Sequence, residues 1–395
     1  GPAVRPVQVF PGGNELLAAA EQKASPNVRL CRINVSSHES IDLGEVPGNP
    51  SDVVWAEPGK TALFSRTLNG LTNIWKYNLQ DRSLTQITFG TGPDYSPMPD
   101  PGSNRIYFVN GKSSGFLTAY HVHTKQSTDI ASDDASQPII SPDGKRVMYV
   151  TLPLPERGEV WVADIDGGNK VKIATGRGLA TGTWAPDSFN LYFYGRTPGA
   201  GGQAYIVRAD GGDLRELPPM GGVPANAVWS ADQKSLYASV VAKPDTIFTT
   251  WKWNVDGSNL EKFIDDCGEV LAVAPSGQYV FGGVLYGERT GIYEFSIAER
   301  KCVTLVPGTV TFSVTFARDG NSFLYALASR GQTAIYRQPW SNGKLVGAPQ
   351  IALKVPFSFT LDTAGGANAY DFSGDLSTIV YARPGGHADL YLLSQ

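Results

Sequence analysis

The chain has no apolar run approaching the roughly 18 to 20 residues that a membrane-spanning helix needs, so membrane contact by this chain is not expected. It has only four histidines, three methionines and three cysteines in 395 residues. The histidines, His38, His121, His123 and His387, leave little room for histidine-based catalysis. Charged residues make up only 18%, and 33 Lys+Arg stand against 37 Asp+Glu. With no basic cluster, nucleic-acid binding is not expected. No segment repeats its apolar residues with a helical period. His-Glu-x-x-His, a phosphate loop and a Rossmann fingerprint are all missing, so no catalytic residue and no cofactor is assigned.

The cysteines Cys31, Cys267 and Cys302 are odd in number and lack metal-ligand spacing. A Cys267–Cys302 disulfide is open, but the expectation is buried or partly buried thiols. His121 and His123 stand two apart on an expected strand and so share a face. No third ligand lies nearby in sequence, and they read as an exposed outer-strand pair beside Lys125 rather than a metal pair. Gly1-Pro2 has the form of a protease-cleavage scar, so a native N-terminus is read as cut away.

What the chain has in quantity is glycine, proline and aromatics: 44 Gly, 27 Pro, 17 Tyr, 17 Phe and 8 Trp. The Gly and Pro are spread along the chain, where they punctuate turns. In Ile139-Ile140-Ser141-Pro142-Asp143-Gly144-Lys145-Arg146-Val147-Met148 an apolar strand runs into a tight turn and a second strand. Pro142 presets φ, Asp143 can bond the backbone two residues on, and Gly144 allows a positive φ. Variants of this hairpin recur. The apolar residue before each turn gives the series Phe10, Trp55, Met98, Ile140, Trp184, Trp229, Val273, Phe316 and Phe372. Successive members lie 42 to 45 residues apart until Phe316, and 56 separate Phe316 from Phe372.

A second series follows each anchor by 19 to 22 residues: Trp75, Tyr120, Trp161, Tyr205, Trp251, Tyr293, Tyr336 and Tyr391, with Cys31 in the first unit. Each unit therefore carries four short strands, A to D from the inside out. A four-stranded antiparallel unit near 43 residues is the repeat of a β-propeller blade. The fold class expected is all-β, a single β-propeller domain over residues 3–395. Nine units are counted, the ninth with strands A to C only, and an eight-bladed ring is the alternative. The extra residues before Phe372 are assigned to surface loops at Pro339 to Gln350 and Phe359 to Ala369.

The Ser-Pro-Asp-Gly-Lys turn with Trp161-Val162-Ala163-Asp164-Ile165-Asp166-Gly167-Gly168 resembles the repeat of TolB-like propellers over essentially the whole chain. Tyr336-Arg337-Gln338-Pro339-Trp340-Ser341-Asn342-Gly343 with Ala388-Asp389-Leu390-Tyr391-Leu392-Leu393 resembles the ends of propellers fused to bacterial receptor-type serine/threonine kinases. Similar propellers follow winged-helix regulators. The resemblance implies a sensing or binding domain of a larger signalling protein, periplasmic or extracytoplasmic, with a cytoplasmic address as the alternative. TolB has six blades and an N-terminal α/β domain, which this sequence does not match, so TolB's own partner is not carried over.

The recurring turn acids Asp143, Asp187, Asp232 and Asp319 read as turn caps rather than calcium ligands. What does not recur are the D-to-A connections, expected at one channel mouth. They bring Asp94, Tyr95, Asp133, Asp134, Gln137, Arg177, Asn226, Asp265, Asp266, Glu269, Asp362 and Tyr370 toward it. These are the candidate ligand-binding residues, since loops on a rigid scaffold carry function. Clustered carboxylates invite calcium or another cation, a cationic group, or a basic segment of a partner. The function expected is non-catalytic recognition of a protein, peptide or small ligand by a monomeric domain. The alternative is a propeller enzyme of lactonase, glycosidase or lyase type with carboxylates at that mouth.

Overall fold

The computed structural model describes residues 4–394 apart from 10–12, 22–26, 47–50, 69–70, 91, 101, 133, 155–156, 177, 198–200, 220–221, 242–247, 266, 285–287, 309–312, 318, 330–331 and 356–368. The described residues form strands, turns and bends, with no helix. They divide into two compact units, Gly1–Ser113 with Gly385–Gln395, and Ser114–Pro384.

The second unit holds six four-stranded sheets, the blades of a β-propeller. Sheet 1 is Ser136–Ile140, Arg146–Leu154, Arg157–Asp164 and Val171–Gly176. Sheets 2, 3 and 4 repeat this order, opening on Leu179–Trp184, Val223–Trp229 and Glu269–Val273. Sheet 5 opens on Val314–Phe316, and its fourth strand is Gln350–Val355, reached after a small hairpin at Ser341–Leu345. Sheet 6 opens on Tyr370–Phe372.

The anchor residues share one register. Ile140 faces Val147, Trp184 faces Leu191, Trp229 faces Leu236, Val273 faces Val280, Phe316 faces Phe323 and Phe372 faces Ile379. Each pair spans one turn of fixed size, and the turn chemistry sets it. In sheet 1 the Gly144 N–H donates to the Ser141 carbonyl at 2.8 Å, with Gly144 at φ +75°. Asp143 Oδ1 accepts from the Lys145 N–H at 3.1 Å. Asp187, Asp232, Asp319 and Asp375 cap the equivalent turns in the same way. Against the opposing pull of burial, the Ser141 hydroxyl and Lys145 N–H lower the Asp143 carboxyl, the Asn190 and Phe189 N–H groups lower that of Asp187, and the Ser230 hydroxyl and Lys234 N–H lower that of Asp232.

Apolar faces of successive sheets meet to form the core. Trp229, Trp253 and Tyr192 pack together between sheets 2 and 3, and Phe281, Phe323 and Trp340 between sheets 4 and 5. Polar side chains join the inner strands: Ser239 Oγ accepts from the Val270 N–H at 2.7 Å, and Gln137 Oε1 from the Thr181 N–H at 3.2 Å.

The repeat count differs from the sequence expectation at two places. Among the described residues the nine counted units form eight sheets, because strands of the third and ninth units pair with each other. Arg105–His121 and Thr378–Ser394 are each 17-residue strands, about twice the length of their neighbours. Gly111 to Gly115 and Pro384 to His387 resemble turns by composition, yet both segments stay extended. The later half of Arg105–His121, with Gln126–Ala131, completes sheet 6 beside Tyr370–Phe372 and the start of Thr378–Ser394. Arg383 stitches this sheet, donating to Thr118 Oγ1 at 3.0 Å and to Asp129 at 2.9 Å.

The first unit contains two four-stranded sheets. One is Val4–Val9, Glu15–Glu21, Val28–Asn34 and Ser40–Val46, and the other is Ser51–Glu57, Thr61–Leu68, Leu71–Asn78 and Leu84–Gln86. Its remaining strand, Asp94–Pro99, pairs with the start of Arg105–His121. There Phe108 stacks on Tyr391 from the end of Thr378–Ser394, with ring centroids 5.7 Å apart. The anchor Met98 is 61% exposed rather than core. The anchor Phe10 and most of the expected loop Phe359 to Ala369 lie outside the described residues.

Cys267 and Cys302 are not thiols. They form a disulfide, with Cα atoms 5.8 Å apart, which ties the lead-in to sheet 4 to that sheet's outer strand. Cys31 is free and partly buried.

Candidate functional site

Side chains alternate across a strand, so the residue before each anchor points to the opposite face from it. In the six blades these residues are Ile139, Thr183, Val228, Ala272, Thr315 and Asp371. Five are neutral and one is an acid. All six line a cavity of about 490 Å³ among the innermost strands of the second unit. The wall continues through the Pro-Asp-Gly type turns, with Pro142, Pro186, Ala231, Pro275 and Gly374, so the cavity lies toward that end of the blades.

Asp371 links three blades. Its Oδ2 accepts from the Ile140 N–H of sheet 1 at 2.8 Å, and its Oδ1 accepts from Ser313 Oγ, just ahead of sheet 5, at 3.1 Å. Burial pushes its carboxyl up to about 6, against the opposing pull of the Ile140 and Phe372 N–H groups and the Ser313 hydroxyl. Asp371 and Asp375 are the charged residues of the described lining, which contains no Lys, Arg or His. The aromatic part of the wall is Trp184, Trp229, Phe316 and Phe372. Trp184 Nε1 donates to the Ile139 carbonyl at 2.8 Å, whereas Trp229 Nε1 is buried without a partner among the described residues. The wall mixes apolar and polar surface, and concave sites with a few convergent polar groups are where small ligands bind.

The residues picked from the D-to-A connections are placed differently. Asp133, Arg177, Asp266 and Asp362 lie outside the described residues. Asp94 and Tyr95 belong to the first unit, where Asp94 is buried and accepts from the Asn73 and Asn110 amides. In the second unit Gln137 bonds Thr181, Glu269 accepts from the Asn226 N–H at 3.4 Å, and Tyr370 is buried in the core. Asp265 is exposed and pairs with Lys262 at 2.8 Å. Asp134 adopts φ +58° in the connection to sheet 1. Among the described members of the set, only Asn226 lines the cavity. Asp371 is not among the sequence candidates. Its signal was available as the single acid at a position that is neutral in the other five blades.

Among the described residues no group of three or more His, Cys, Asp or Glu side chains is arranged to hold a metal ion. His121 ends its strand and His123 sits in the turn that follows, so the two do not share a strand face.

No protein-family model matches the chain. A stretch of 111 residues is 27% identical to the uncharacterized peptidase YuxL of Bacillus subtilis (strain 168), covering 27% of this chain and 17% of that protein. A solved structure assigned to TolB from Agrobacterium tumefaciens superposes with a TM-score of 0.51 at 13% identity, over 69% of this chain and 99% of its own. An oligogalacturonate lyase in complex with manganese reaches a TM-score of 0.44 at 13% identity, over 86% of this chain and 98% of its own. At such identities likeness speaks for fold alone, and with the strand topology it makes this chain an all-β protein carrying a β-propeller.

Proposed function

We propose that the protein is a non-catalytic binding propeller whose ligand, a small molecule or the tip of a protein or peptide segment, occupies the cavity of the second unit. The observation that carries this reading is the roughly 490 Å³ cavity walled by all six innermost strands, with four aromatic residues and one partly buried acid in its lining. Rigid blades hold that wall in place, so little ordering cost falls on binding. The Cys267–Cys302 disulfide supports an oxidising, extracytoplasmic compartment. A sensing role within a larger bacterial signalling protein is part of the proposal and rests on the sequence resemblance to kinase-fused propellers.

A second reading is favoured by one observation. A carboxyl raised to about 6 is suited to proton transfer near neutral pH, so Asp371 also fits a general acid or base.

Thermal-shift screening against small molecules and short peptides tests the proposal, because a ligand of the native state raises the melting temperature by mass action. Hits are expected to be lost in Thr315→Trp, which fills the cavity from a partly exposed lining position. Hits that survive in Thr315→Trp place the site elsewhere. Chemical conversion of a hit, abolished by Asp371→Asn, replaces the binding reading with the enzymatic one.

A further inference from the structure

We infer that the cavity selects its ligand by a cationic nitrogen carried on an apolar body, an alkylammonium, arylalkylammonium or guanidinium group whose charge is met by Asp371. This rests on the proposed reading that the cavity is the ligand site.

Charge balance comes first. The described lining has two acids, Asp371 and Asp375, and no basic residue. Asp371 is held by neutral donors, the Ile140 N–H and the Ser313 hydroxyl, so its hydrogen bonds leave its charge uncompensated. An ionised carboxylate away from bulk water is costly unless an opposite charge joins it. An anionic ligand would add to that cost, and a neutral one would leave it in place. A cation removes it.

The rest of the wall suits the apolar body. Trp184, Trp229, Phe316 and Phe372 line the cavity. Trp184, Trp229 and Phe372 are 4%, 5% and 2% exposed and Arg146 already sits over the Trp184 ring, so these residues supply apolar surface to the wall rather than open cation-binding faces. The same rings accept the apolar body that carries the nitrogen. The acid is also fixed in position. Its two oxygens are tied to sheets 1 and 5, so it does not have to be ordered when a ligand arrives.

The charge could come from a free amine or from a lysine side chain of a peptide, and the probes separate these sources. Calorimetric titration of the whole chain at pH 7.5 uses 2-phenylethylamine, N-acetyl-lysine methylamide, 2-phenylethanol and phenylacetate. At least one of the two cations is expected to bind at least tenfold more tightly than 2-phenylethanol, and phenylacetate not at all. Preference for 2-phenylethylamine assigns the free amine, and preference for the lysine derivative assigns a peptide side chain. Asp371→Asn is expected to weaken the bound cation tenfold or more and to leave 2-phenylethanol unchanged. The amide keeps an acceptor for the Ile140 N–H and offers a donor to Ser313. Asp256→Asn, the same charge change at an exposed turn, serves as the control and is expected to have no effect.

The comparison among probes on the unaltered chain needs no variant, so misfolding of Asp371→Asn leaves the inference testable. Neither cation binding, cations and 2-phenylethanol binding equally, or phenylacetate preferred, each overturns it. If 2-phenylethanol binds, depends on Thr315 and ignores Asp371, the cavity reading stands and the cation inference falls. If every probe ignores Thr315→Trp, the cavity reading itself falls.

Discussion

The Asp371 carboxylate accepts the Ile140 N–H across 231 positions of sequence, at 2.8 Å. The bond joins the first and last blades of the second unit where their innermost strands meet. It also puts the one acid among six equivalent positions into the cavity wall. Ring closure and the candidate site are thus served by one side chain.

That placement makes stability depend on pH in a defined direction. The folded carboxyl is raised to about 6, above its unfolded value near 3.9, so the folded state holds the proton longer. Stability from this group is present at low pH and is lost as pH rises from about 4 to about 6. Asp371→Asn removes the effect. The stability of the variant relative to the parent chain is expected to rise by about 2–3 kcal/mol between pH 4 and pH 7 in urea unfolding. A difference that stays flat with pH contradicts the burial of this charge.

The disulfide is expected to be a major staple. Closing a span with sequence separation 35 is worth about 3–4 kcal/mol in the chain-entropy account. Cys267→Ser with Cys302→Ser, or a reductant added to the parent chain, is expected to lower the melting temperature. A melt that reductant leaves unmoved rules the bond out.

Two tryptophans at equivalent positions differ in one hydrogen bond. Trp184 Nε1 donates to Ile139, and Trp229 Nε1 has no partner among the described residues. Trp184→Phe is therefore expected to cost about 1–2 kcal/mol more than Trp229→Phe in denaturant unfolding. Equal costs contradict the bonding difference.

The strand exchange is testable by dissection. Residues 114–384 carry all six sheets of the second unit, whereas 136–384 lack the two strands that complete sheet 6. The longer fragment is expected to melt cooperatively. The shorter one is expected to aggregate or melt broadly, since it leaves an open sheet edge and removes the buried Leu117 and Ala119. Equal behaviour of the two fragments contradicts the exchange.

The blade repeat was legible because it is local. An apolar anchor, a Pro-Asp-Gly type turn and a returning strand lie within about ten residues, and the six blades keep that register. The turn acids were legible for the same reason. The exchange was not, because every unit offers the same pleated edge to any partner. The Gly111 to Gly115 and Pro384 to His387 segments also carry turn-like composition while their backbone stays in strand conformation. The D-to-A connections drew attention by their variety, yet Gln137 and Glu269 in that set bond neighbouring blades. Asp371 was present as an exception within the repeat, but its partners Ile140 and Ser313 lie 231 and 58 positions away.

The most direct test of the cavity as the binding site is a crystal structure of the whole chain soaked with 2-phenylethylamine and N-acetyl-lysine methylamide in turn. The expected result is a probe in the cavity, its nitrogen about 2.7–3.2 Å from an oxygen of Asp371 and its apolar part against Trp184 or Trp229. A probe seated instead among the connections near Asp134 and Asp265, with the cavity empty, contradicts the account.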